Sequence, residues 1–199
     1  MPKFQESITS EEVNALPIGA FHGEIVVVDT PQAIVEAAAY LSAQPLIGFD
    51  TETRPSFKAG QMNKVALLQL STHRRCYLIR LCRIKLHNAL ALERPLLRLL
   101  ESSKTIKIGA AIRDDIRGLQ KLRCFTPKGF IDLQSLVGKY GINELSLRKM
   151  AAITLQIKIS KAQRLSNWEA ATLTPAQQLY AATDAWVSRE IYVRLTQQQ

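Results

Sequence analysis

Two acids in this sequence occupy positions where apolar residues would be expected. In the segment that follows Thr174-Pro175, the stripe Val187, Ile191, Leu195, continued backward at helical spacing, passes through Asp184 and then Tyr180. A carboxylate facing a core must take up a proton or meet a partner, and for this helix alone a pair with a buried arginine is slightly favoured over a metal ion. Asp115 raises the same question. Ile112, Asp115, Ile116 and Leu119 share one helical face, while Asp114 points with Arg117 and Lys121 toward the other. Asp114 therefore reads as a solvent-facing acid that complements a helix dipole, and Asp115 as an inward one.

Asp50 and Glu52 close an apolar run, Leu46-Ile47-Gly48-Phe49. Two apart on a strand, their side chains emerge on one face with Cα atoms roughly 6.5 Å apart, close enough to grip one ion or ion pair. A DxE motif alone is weak, because short acidic motifs are common at strand ends. Four acids converging in one domain would repel one another by several kcal/mol at low effective dielectric unless positive charge were supplied. Two divalent cations would supply it. Oxygen-only ligands suit Mg²⁺ or Mn²⁺, and such a pair activates a water and stabilises the leaving oxygen in phosphodiester cleavage.

The elements that must position these acids alternate between strand and helix. Residues 1–23 are expected to form an irregular arm with one short helix, where Thr9 and Glu12 make a capping box; residues 24–199 are expected to form the catalytic domain. Ile25 to Val28 reads as a strand, and Thr30-Pro31 opens a helix through Ala33 to Ala43. Strands are predicted at Leu46 to Phe49, Val65 to Leu70, Cys76 to Ile79 and Thr105 to Gly109. Helices are predicted around Pro95 to Glu101, Ile112 to Leu122, Asp132 to Tyr140 and Leu145 to Ala152, and from Thr174 to about Leu195 under a Thr174/Gln177 capping box. This alternation indicates an α/β domain with a central sheet.

Composition excludes several classes. Among 199 residues no apolar stretch approaches the ~18 needed to span a bilayer, and the N-terminus lacks the form of a secretory signal, which points to a cytoplasmic protein, or a nuclear one in a eukaryote. Cys76, Cys82 and Cys124 form no CxxC pair, and His22, His73 and His87 show no ligand spacing. The net charge of +9 is unevenly spread. Eight basic residues and no acid lie between Glu52 and Glu93, and five basic residues and no acid between Glu144 and Glu169. These stretches fit either phosphate binding or solvated faces.

The motifs Phe49-Asp50-Thr51-Glu52-Thr53, Gly109 to Asp115, and Tyr180-Ala181-Ala182-Thr183-Asp184 resemble, in order, those of the 3′-to-5′ exonucleases with four metal-binding acids and a tyrosine. Lys64 to Leu70 and Leu165-Ser166-Asn167-Trp168 are similar to segments of the Werner-type exonuclease domain and of ribonuclease D. The resemblance runs from about Ile25 to Leu195. It implies a ribonuclease H-like fold, a central mixed β-sheet flanked by helices, and two metal ions. By this resemblance Asp50 bridges the ions, Glu52 and Asp184 complete one site, Asp115 supports the other, and Tyr180 orients the attacking water; without the motif, the residues read as a core tyrosine packed on the stripe. Where the Werner-type domain has a tryptophan after the glutamate, this sequence has Thr53.

The expected activity is release of nucleotides from 3′ ends of a single strand or recessed duplex, with DNA ahead of RNA as substrate. Arg54, Lys58, Lys161 and Arg164 are the candidate strand-binding residues, and a helicase or other protein partner could act in trans. An exoribonuclease, or a module that binds without cleaving, are the competing readings.

Overall fold

The computed structural model of the protein describes residues 4–56, 63–84 and 94–197; Lys58, Lys85 and His87 lie outside them. The strands are β1 (Glu24–Val28), β2 (Leu46–Thr53), β3 (Val65–Ser71), β4 (Arg75–Ile79), β5 (Ile106–Gly109) and β6 (Phe130–Asp132). The helices are α1 (Ser10–Ala15), α2 (Pro31–Ser42), α3 (Arg94–Leu100), α4 (Arg113–Leu122), α5 (Leu133–Leu136), α6 (Leu147–Leu155) and α7 (Pro175–Thr196), with a 3₁₀ turn at Val137–Tyr140. The described strands form one mixed sheet in the order β1-β4-β3-β2-β5-β6, with β3 antiparallel to both of its neighbours. The segment expected to be helical from Asp132 to Tyr140 is helical, with Asp132 as the N-cap of α5 and the 3₁₀ turn continuing to Tyr140, and what the sequence did not show is the short edge strand β6 that leads into it.

Alternation along the strands sends side chains to two cores. Ile47, Phe49, Leu68 and Leu70 pack with α2, α3 and α4 on one side, while Leu67 and Leu78 meet Ala181 and Ala182 of α7 on the other. Helix α7 begins as its sequence signals, with Thr174 and Gln177 in a reciprocal capping box and a proline in the first turn. It lies directly on β2 because Gly48 has no side chain: a Cβ there would run into the Ala185 carbonyl. This close approach sets Asp184 over the strand that carries Asp50.

β2 pairs with β5 only over Leu46–Gly48, so the segment from Phe49 to Thr53 runs on past its neighbour. Where β5 ends, the chain turns into α4 through Ala111, whose φ of 57° is unusual for a side-chain-bearing residue. The Asp132 carboxylate pins that turn by accepting the N–H groups of Ala111 at 2.9 Å and Ile112 at 3.2 Å. α4 therefore starts beside the free end of β2.

Candidate active site

Strand pleating places Asp50 and Glu52 on the α7 side of β2, opposite Gln69 and Leu67 of β3. One carboxylate oxygen from each of Asp50, Glu52 and Asp184 lies within 4.8 Å of the others. Asp184 is buried, and Asp50 and Glu52 are partly so. Asp115 reaches the site from the opposite face of the sheet, on α4. Thr51, between the two β2 acids and pointing away from them, donates its hydroxyl to the Asp115 carboxylate. Thr51 thus joins the second face to the first through one strand. Asp114 is exposed and pairs with Arg117 across a turn at 3.5 Å.

Holding these acids together has an electrostatic cost. Burial, then the charges of Asp184, Asp115 and Glu52, push the Asp50 carboxyl well above the usual carboxylate range. Burial, then Asp184 and Asp115, raise Glu52 to about 8. Burial lifts Asp184 to about 7 against a hydrogen-bonding contribution from Tyr180, and Asp115 is also raised, chiefly by burial. The Tyr180 phenol is driven above its ordinary range by burial first and Asp184 second. Its ring packs on Trp168, centroid to centroid at 6.0 Å.

The donor set suits a hard divalent cation. Its ligand atoms are oxygens alone, crowded and short of positive charge. Beside Asp50, the fully buried Gln69 has both amide atoms without a hydrogen-bond partner among the described residues, a costly state that a polar occupant would relieve.

Of the candidate strand-binding residues, Lys58 lies outside the described residues. Arg54 is exposed and forms a pair with Glu169 at 3.5 Å. Lys161 and Arg164 are exposed beyond α6. Arg80, one of the basic residues of the first acid-free stretch, is buried and donates to the carbonyls of Ala170 and Ala171. Its role is to hold the loop that precedes α7. Thr51 and Gln69 lie within the matched segments without being singled out there, and Asp132 lies in none of them. The pleat would have put Thr51 opposite Asp50, but only the fold shows that α4 meets it.

A mixed sheet whose central strand presents two acids, with further acids on the helix crossing each face, defines a ribonuclease H-like nuclease domain. The family model for 3′-5′ exonuclease matches residues 25–199, and the chain belongs to that family. Exonuclease 3′-5′ domain-containing protein 2 of Drosophila melanogaster is 37% identical over 75% of this chain and 25% of its own length. The bifunctional 3′-5′ exonuclease/ATP-dependent helicase WRN of Mus musculus is 32% identical over 78% of this chain and 11% of its own length. The Nibbler EXO domain of Aedes aegypti superposes with a TM-score of 0.79 at 25% identity, covering 90% of this chain and 92% of that one. The chain spans about a quarter of the length of the first curated relatives it matches. Among the described residues no helix is long and apolar enough to cross a membrane.

Proposed function

We propose that the domain, residues 24–199, is a two-metal 3′-to-5′ exonuclease that hydrolyses the terminal phosphodiester of a nucleic-acid strand. The observation that carries this reading is the convergence of Asp50, Glu52 and Asp184 within 4.8 Å on a fold of the 3′-5′ exonuclease family. These three residues would hold divalent cations, Mg²⁺ or Mn²⁺, with Asp115 contributing from the α4 side. Bound there, the cations would supply Lewis-acid activation of a water and charge stabilisation at the leaving oxygen.

The remaining steps belong to the chain itself. Tyr180, protonated at any working pH, donates a hydrogen bond that orients the attacking water or the scissile phosphate. Trp168 backs the tyrosine ring and limits its rotation. Thr51 fixes the Asp115 carboxylate, so that both faces of the site stay in register. Arg54, Lys58, Lys161 and Arg164 supply positive charge along the strand. DNA is placed ahead of RNA as substrate, and a helicase or another protein could present the 3′ end in trans.

End-labelled single-stranded DNA, recessed duplex and RNA of equal length, digested side by side with Mg²⁺ or Mn²⁺, test the reading. Ladders shortening from the 3′ end, lost on chelation, are expected. Binding without shortening of any substrate would leave a non-cleaving module.

A further inference from the structure

The arm that precedes β1 is fixed to the edge of the site. Its helix α1 is anchored by the buried Ile8 and Val13. The next residues run alongside the segment after α6: the Lys158 N–H donates to Pro17 O, and the Gly19 N–H to Lys158 O, both at 2.9 Å. The Phe21 N–H then donates to the Thr183 hydroxyl at 3.1 Å, one residue before Asp184. Between these anchors Ile18 is left 76% exposed.

Ile18 and Ser160 are the threshold shared by two cavities. The inner one, about 190 Å³, reaches Tyr180 and Asp184 and is walled by Gly19 and Leu179. The outer one, about 290 Å³, is lined by Arg148, Lys158 and Lys161. Arg148 donates to the Asn14 side-chain oxygen at 2.5 Å and Lys158 to the Asn14 carbonyl at 2.6 Å. Both acceptors are neutral, so these contacts order the cations without cancelling their charge. Among the described residues, Asp184 is the sole acid lining either cavity. On the other side of the carboxylates, the cavity at Glu52 and Asp115 also carries Asp114, so that its acids outnumber its two lysines, Lys64 and Lys121. A polyanion leaving the site meets less repulsion along the first route.

We propose that the N-terminal arm and the Lys158–Lys161 segment form the groove that carries the strand on the 5′ side of the scissile bond. A base lies on Ile18, and the following phosphates sit in the outer cavity. This inference rests on the nuclease reading and gives the arm a role in that same site. An exposed aliphatic side chain between a catalytic cavity and uncompensated cations matches the alternation of base and phosphate in a single strand.

The test is fluorescence anisotropy with 5′-labelled oligothymidylates, from dinucleotide to octanucleotide, in chelator and across a salt titration. The wild-type protein should bind more tightly as length increases. Ile18→Asp, and separately the pair Lys158→Gln with Lys161→Gln, should reduce that gain about tenfold. The lysine pair should also lower the slope of log affinity against log salt by about 1.4, near 0.7 for each phosphate contact on a single strand. Ile18→Ala, which only shortens an exposed side chain, serves as the variant least able to disturb folding and should show a smaller loss in the same direction. A wild-type length gain in all these variants would overturn the groove, as would its loss in Lys64→Gln with Arg117→Gln instead. Failure of the wild-type protein to trim any 3′ end with Mn²⁺ would sink the nuclease reading alone, since the binding measurement does not depend on cleavage.

Discussion

The Thr51 hydroxyl donates to the Asp115 carboxylate, bridging the strand that carries Asp50 and Glu52 to the helix on the opposite face of the sheet. Thr51→Val keeps the shape and β-propensity of the residue and removes only the donor. Asp115 should then lose its fixed orientation while the fold persists. Partners of this kind are worth roughly 10- to 100-fold in metal affinity or activity. A Mn²⁺ titration of 3′ trimming alongside a melting curve tests this: a wild-type titration would reduce the bond to a packing detail.

Asp50→Asn and Asp114→Asn separate the acid at the centre of the cluster from the exposed one. Asp50→Asn preserves volume and withdraws a charged ligand, so trimming should fall by about 10³-fold or more, the scale of several kcal/mol of lost charge stabilisation. Asp114→Asn should trim normally, because its side chain faces solvent beside Arg117. Rate measurements at saturating Mn²⁺ decide the matter, and a reversed pattern would overturn the division of the inward Asp115 from the exposed Asp114.

The raised carboxylates set a pH dependence whose sign is fixed. A carboxyl whose folded pKa lies above its unfolded value of about 4 stabilises the fold while protonated, and that contribution disappears as pH rises through the folded value. With Asp184 at about 7 and Glu52 at about 8, the chelated protein should lose melting temperature between roughly pH 4 and pH 8 through these groups. Cation binding competes with the same protons, so the stabilisation given by Mn²⁺ should be small at the acid end and grow across that window. Thermal melts with chelator and with Mn²⁺ at each pH measure both. A metal-induced shift independent of pH would detach the cation from these acids.

Much of this arrangement can be read in the sequence where the signal is local. The Thr174-Pro175-Gln177 start of α7 and the division of Asp114 from Asp115 follow from capping and periodicity, and the structure places these residues accordingly. What depends on distant partners is not legible. β6 is three residues long, too short for any period to register, yet it brings in Asp132 to pin the turn before α4. Arg80 and Lys107 count as charges in the sequence, but Arg80 bonds loop carbonyls, and Lys107 donates to the carbonyls of Leu99, Ser102 and Thr105. Burial lowers the Lys107 amine to about 8. Net charge therefore overstates the basic surface available to a polyanion. The place of the arm beside Asp184 is likewise not legible, because its bond to Thr183 spans most of the chain.

Gly48 carries no chemistry, but it determines how closely α7 approaches β2. Gly48→Ala would place a methyl against the Ala185 carbonyl, a backbone atom that cannot rotate away. The helix must lift, at a cost of about 1–3 kcal/mol for overpacking, and Asp184 lifts with it. Urea denaturation should show the destabilisation, and Mn²⁺ affinity should fall in the folded variant. Unaltered affinity with reduced stability would mean that Asp184 is placed by other contacts.

Tyr180 precedes Asp184 by one helical turn on α7, with its ring on Trp168 and its hydroxyl near the carboxylate. Burial and Asp184 push the phenol above its ordinary range, so it keeps its proton near neutral pH and serves as a hydrogen-bonding group rather than as a base. Its contribution is thus geometric. Tyr180→Phe retains the ring and its stacking, so the fold and the Mn²⁺ affinity should survive. Turnover should drop roughly 10- to 10³-fold, the scale of one orienting hydrogen bond, with little change in substrate affinity. Asp184→Asn removes a ligand instead and should lose metal affinity and rate together. Single-turnover cleavage across a Mn²⁺ titration separates the two variants. If Tyr180→Phe cleaves at the wild-type rate at saturating metal, the tyrosine serves only to pack against Trp168.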